Sequence, residues 1–321
     1  MQKQSVDKQQ SEKTNWSSRS IGSNWQHQAF YLAIRLSGRK LAYLMLYFVV
    51  GYYVLFSRLA RQRCSYYLRR RFPQASGLQS LWHCYRLILA FGKVLVDRAV
   101  VGILGPESFE VCLDGREELL KLRDENRGMI LMAAHVGCWQ VAMSALDFLE
   151  RPVHMLMRRE DGDIDRHYYE HAGIECPYRQ IDPAGYLGGT LEMLGALKQG
   201  QIVSVMGDRL LGSDRSSVNV DFLGGQLAWR CRAYTIGSAN GASVVVFFTS
   251  KDGPDSYRLK LAKVIRVPQL SGRDAATFRP FVAEFSRVLE EYCQDHPYQF
   301  FNFFDLWSQQ SSEEMSDYKE Q

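Results

Sequence analysis

His135 is the residue in this chain best placed to move a proton. It follows the short apolar run Met129 to Ala134, and Gly137 comes two residues later, so an imidazole stands where a buried strand ends and the backbone turns. The carboxyl end of a central strand, beside the start of the next helix, is where open α/β sheets carry their chemistry. A neutral imidazole there suits general-base work on a hydroxyl or an amine. A lone histidine in such a run also reads as a core residue bonded to a carbonyl. Gln140, five positions after His135, and Asp208, at the end of a second apolar run, are the groups able to orient the ring. A glutamine carbonyl accepts a hydrogen bond and fixes the tautomer, but only a carboxylate offsets an imidazolium charge. Asp208 reads equally as a turn or N-cap aspartate.

Cations stand at comparable positions. Arg158 and Arg159 close the run Val153 to Met157, Arg209 follows Asp208, and Arg230 and Arg232 open the helical stretch after Val218 to Gly225. Guanidinium binds phosphate in a bidentate way, and cations at a helix start oppose its dipole unless an anion lies between them. Solvated surface arginines are the competing reading. His167, Glu170 and His171 spell H-x-x-E-H, an inverted zinc-protease motif with both histidines on one helical face. The motif is short, and its surroundings fit an ordinary amphipathic helix, so no metal is expected.

The elements that must hold these residues alternate along the chain. Short apolar runs at 109–113, 129–134, 153–157, 201–206 and 243–248 read as strands; 117–126, 191–197 and 275–294 read as helices. The pattern predicts an α/β fold with a central, mostly parallel sheet flanked by helices. The alternating run 257–266 suits an edge strand.

Ahead of this domain, residues 1–28 are polar and without period, a disordered tail. Residues 29–75 form a hydrophobic and basic unit, 76–309 the catalytic domain and 310–321 a polar tail. Leu41 to Phe56 is uncharged and rich in aromatics. It is marginal in length for a transmembrane helix and also suits one lying in the interface. Arg58, Arg61, Arg63, Arg69, Arg70 and Arg71 follow, a cluster drawn to anionic lipid, and by the positive-inside tendency it places the rest in the cytoplasm. The 39 basic residues barely outnumber the 35 acidic ones, which does not suggest nucleic acid. The seven cysteines are scattered and contain no CxxC, as expected of reduced core thiols.

The segment AAHVGCWQ (residues 133–140), Gly-Asp-Arg at 207–209, Phe-Leu-Gly at 222–224 and the aromatic block His296 to Trp307 together resemble the lipid A biosynthesis acyltransferases, within the glycerolipid and lysophospholipid acyltransferase superfamily. The resemblance runs from about Arg35 to Trp307. It implies a membrane-associated enzyme of the bacterial inner membrane, its catalytic domain on the cytoplasmic face. Such an enzyme moves a fatty acyl group from acyl carrier protein or coenzyme A to a hydroxyl or amine of a lipid or glycolipid acceptor. It implies His135 as general base, with Gln140 standing where the family has Glu or Asp and Asp208 as candidate for the missing carboxylate. Gly137, Arg158, Arg159, Arg209, Phe222, Gly224, Arg230 and Arg232 are implied around donor and acceptor. No cofactor and a monomeric state are expected. Because of Gln140, a catalytically degenerate relative that binds lipid or a partner protein is the alternative.

Overall fold

The computed structural model describes residues 24–157, 178–209, 216–270 and 274–307. Three helices come first: α1 (Asn24–Phe56), α2 (Arg58–Arg71) and α3 (Gly77–Leu104). The chain then runs through β1 (Glu110–Asp114), α4 (Arg116–Asp124), β2 (Met129–Ala133), the short α5 (Trp139–Met143), β3 (Val153–Leu156), β4 (Arg179–Ile181), α6 (Thr190–Lys198) and β5 (Ile202–Met206). A hairpin of β6 (Ser217–Phe222) and β7 (Gly225–Arg230) follows, then α7 (Arg232–Asn240), β8 (Ser243–Lys251), β9 (Ser256–Ile265) and α8 (Arg279–Asp295).

One sheet takes the order β1-β9-β8-β2-β5-β3-β4, and every neighbouring pair is parallel except β8 with β9. The architecture is the expected α/β one. The short turn between Lys251 and Ser256 cannot carry a crossover, so β8 and β9 must run antiparallel. Against expectation, β9 is not an edge strand: β1 pairs with its outer side and takes the edge.

Side chains of β2 divide between two layers. Ile130 and Met132 pack with Val203, Val205, Val244 and the helices α6, α7 and α8, while Met129 and Leu131 meet Leu119 and Leu122 of α4. Alternate residues of a strand face opposite sides, and here both sides are covered. That is why β2, Val244–Phe248 of β8 and, apart from Ser204, β5 read as apolar runs.

Helix α1 starts within the segment read as tail and is interrupted at Gly38, which has φ 61° and ψ −161°. Beyond that break Ala42, Leu46, Val50 and Val54 form one buried stripe against α3 and the core. The stripe is pinned by a buried ionic centre. Asp97 of α3 is fully buried and accepts from the Tyr43 hydroxyl of α1, the Tyr257 hydroxyl of β9 and Lys251 Nζ of β8, the last at 2.7 Å. A carboxylate and an ammonium removed from water in this way need each other. Removing one partner by Asp97→Ala should lower stability in chemical denaturation by about 3–5 kcal/mol, whereas Asp97→Leu combined with Lys251→Met should recover most of that loss. Equal losses in the single and double variants would count against this account.

Candidate active site

β2 and β5 are adjacent and parallel, with Ala133 opposite Met206, so the residues that follow them emerge side by side. The ladder runs one step further, through the Gly207 N–H donating to the Ala133 carbonyl at 2.8 Å. A Cβ on Gly207 would lie 2.9 Å from Met132 Cγ and 2.8 Å from Phe285 Cζ, so only glycine lets the strands close this far. Asp208 then faces His135. His135 Nδ1 lies 2.8 Å from Oδ1 and 3.0 Å from Oδ2 of Asp208, and the backbone N–H of His135 donates to Oδ2 at 3.0 Å.

The carboxylate has only lone pairs to offer, so Nδ1 carries the proton and Nε2 keeps its own lone pair. The Asp208 side chain is 2 % exposed and that of His135 28 % exposed, so the orienting group is sealed in while the imidazole reaches solvent. Burial alone would raise the Asp208 carboxyl. Attraction to the ring in its protonated form, the hydrogen bonds from His135 and the neighbouring Arg209 guanidinium outweigh that and hold it below the usual carboxylate range.

The turn carrying His135 is clamped by two other segments, β8 and the stretch after α8. Phe301 N–H donates to the His135 carbonyl at 2.8 Å, Thr249 Oγ1 donates to the Val136 carbonyl at 2.8 Å, and Gly137 N–H donates to the Gln299 carbonyl at 3.2 Å. Gly137 has φ 53° and lies so close to the Thr249 carbonyl that a Cβ would collide with it. Its role in the turn is therefore steric, and its N–H is already bonded within the protein.

Other sequence candidates divide. Gln140 does not hold the imidazole: its Oε1 receives Cys138 Sγ at 3.7 Å, and both Nδ1 contacts go to Asp208. Phe222 is fully buried among Trp229, Phe300 and Trp307 at ring separations of 5.5, 5.9 and 6.1 Å, so it is core and not cleft lining. Gly224 sits in the two-residue turn of the β6–β7 hairpin, where it and Leu223 both have positive φ. Arg209 lies over the Phe304 ring at 5.2 Å, beside the dyad.

Arg230 and Arg232 do not open one helix together. Arg230 ends β7, while Arg232 begins α7 and donates from Nη1 to the Gly188 carbonyl at 3.0 Å. Arg158, Arg159 and the His167, Glu170 and His171 motif lie outside the described residues. Thr249, Gln299, Asp97 and Lys251 had no place among the sequence candidates. Of these only Asp97, a lone acid within an apolar helix, carries a sequence signal.

A family model described as bacterial lipid A biosynthesis acyltransferase matches residues 13–309. No curated protein matches the chain.

The depressed carboxyl of Asp208 makes a pH prediction. Its contribution to stability is present above the unfolded carboxylate value, near pH ~4, and is lost as pH falls through the lower folded value. Urea titrations should give a stability gap between the native protein and Asp208→Asn that is present at pH ~5 and shrinks as pH falls below ~4. A gap unchanged into strong acid would refute the assignment.

Proposed function

The chain belongs to the bacterial lipid A biosynthesis acyltransferase family, and on that premise we propose that it transfers a fatty acyl group from the thioester of acyl carrier protein or coenzyme A to a hydroxyl or amine of a lipid or glycolipid acceptor. The supporting observation is the His135–Asp208 pair, which engages Nδ1 of a part-exposed imidazole and leaves Nε2 as the ring's basic nitrogen. Nε2 takes the proton of the acceptor hydroxyl as its oxygen attacks the thioester carbonyl. The resulting tetrahedral intermediate collapses, breaking the carbon–sulfur bond. The departing thiolate takes back the proton from the imidazolium. Asp208 holds the ring and balances its charge while the proton resides there. No residue has to become covalently acylated.

The non-catalytic alternative rests on Gln140. The Asp208 carboxylate beside Nδ1, just past the end of the neighbouring strand, supports the catalytic reading over that alternative. Because the acceptor is a lipid, we place the protein at the cytoplasmic face of the inner membrane, held there by its apolar and basic N-terminal helices.

Purified protein given acyl carrier or coenzyme A thioesters and a lipid extract should transfer acyl groups. His135→Ala should lower kcat by roughly 10²–10⁴-fold. Asp208→Ala should lower kcat by a comparable factor with little change in KM, while Gln140→Ala changes kcat several-fold less. Transfer that survives His135→Ala would end the enzymatic reading. A Gln140→Ala loss as deep as that of Asp208→Ala would reassign the orienting group.

A further inference from the structure

Ala29 to Phe56 is long and apolar enough to cross a bilayer, yet the way α1 is held points to a different use. We infer that α1 does not span the membrane but lies along it, and that its outer face, with the neighbouring start of α3, is a docking surface for one leaflet of an anionic lipid bilayer. The inference deepens the membrane part of the proposed function.

Geometry supplies the first ground. The break at Gly38 leaves an unbroken helix only from Arg39 to Phe56, roughly 27 Å long, short of the ~30 Å hydrocarbon core. One side of that stretch is fixed to the catalytic domain along its length. Arg39 bonds the Ser108 carbonyl and Asp255 and stacks on Phe109, Tyr43 bonds Asp97, and Leu46 closes on Gly92. At its end Arg61 donates to the carbonyls of Val54 and Leu55 at 2.7 and 2.8 Å, turning the chain into α2. A spanning helix would have to abandon these contacts and expose the Asp97–Lys251 pair.

The opposite side supplies the second ground. Leu36, Leu44, Phe48, Tyr52, Leu55 and Phe56 are exposed, Phe48 by 73 % and Phe56 by 71 %, and Leu78 and Trp82 at the start of α3 are exposed as well. So many large apolar side chains facing outward mark an interaction surface. Aromatic rings with one apolar body and one polar tip suit the level of the lipid headgroups.

Charge identifies the partner. Between Glu12 and Asp97 the chain contains no aspartate or glutamate, and Asp97 is buried and paired. Arg35, Lys40, Arg58, Arg69 and Arg86 remain exposed along the same helices. An apolar face on helices whose own exposed charges are cations fits an anionic bilayer surface and would repel a basic partner.

The test uses the full chain in a bacterial host, carrying an epitope ahead of Met1. In inside-out inner-membrane vesicles, added protease should remove both the epitope and the catalytic domain; in spheroplasts both should survive. An epitope protected in inside-out vesicles while the domain is digested would overturn the inference. In a second measurement, purified protein should float with phosphatidylglycerol vesicles, less with phosphatidylcholine and less again as salt rises. Phe48→Glu with Phe56→Glu, both at exposed positions, should cut flotation about tenfold or more while the thermal unfolding transition stays in place. Undiminished flotation of that variant would also overturn it. Neither readout involves acyl transfer, so failure of the enzymatic reading and failure of this one are separable.

Discussion

A carboxylate buried beside an imidazole is the constraint around which the rest of this structure is arranged. Asp208, taken from water on its own, would bind a proton and lose its capacity to hold His135 as an acceptor. It stays charged because His135 presents two donors to it, the ring Nδ1–H and the backbone N–H. Each group therefore depends on the other being placed correctly. The placement comes from the sheet: parallel pairing of β2 with β5 brings Ala133 level with Met206, and the side-chain-free Gly207 lets the ladder continue to the residue before the dyad.

Orientation of the ring also requires that the turn behind it cannot drift, since small displacements of a proton-transfer group are costly. Two segments remote in sequence hold the turn in place, one through Thr249 and the other through Gln299 and Phe301. Gln299 is itself held by β8: its Oε1 accepts the Lys251 backbone N–H at 2.7 Å, and its Nε2 donates to the Lys251 carbonyl at 3.1 Å. The Lys251 side chain ends on Asp97, which also binds Tyr43 of α1. A continuous set of polar contacts thus joins the N-terminal helix to the turn that carries His135. The face of α1 opposite Tyr43 and the position of His135 are tied to one set of contacts.

Much of this was legible in the residue pattern because the central strands are covered on both faces. Such strands need apolar runs, and β2 and β5 could be located from theirs, with His135 and Asp208 at their ends. Strand order was not legible, and it decides which group binds the imidazole. Gln140 is close in sequence, yet the carboxylate that reaches Nδ1 comes from the neighbouring strand. Composition also failed where one chemistry serves two ends. Phe222 belongs to a recognisable motif but its ring is spent on packing with Trp229, Phe300 and Trp307. β7 is a brief strand running into α7 through a single residue, so no period separates them and Arg230 and Arg232 read as neighbours on one helix. The edge strand was misplaced because alternation in β9 reports partial exposure of its faces, not the absence of a partner on its flank.

The glutamine at 140 follows from the same electrostatics. In the proposed mechanism the site must accommodate one added positive charge, on the imidazolium, and Asp208 matches it with one negative charge. A second carboxylate in the same partly buried neighbourhood would repel the first and raise the proton affinity of both. An amide at 140 adds no charge, and its carbonyl takes up the thiol of the fully buried Cys138. With the carboxylate supplied by Asp208 just past β5, Gln140 in the first turn of α5 need not carry a charge. The arrangement of strands thereby sets what the helix residue is free to become.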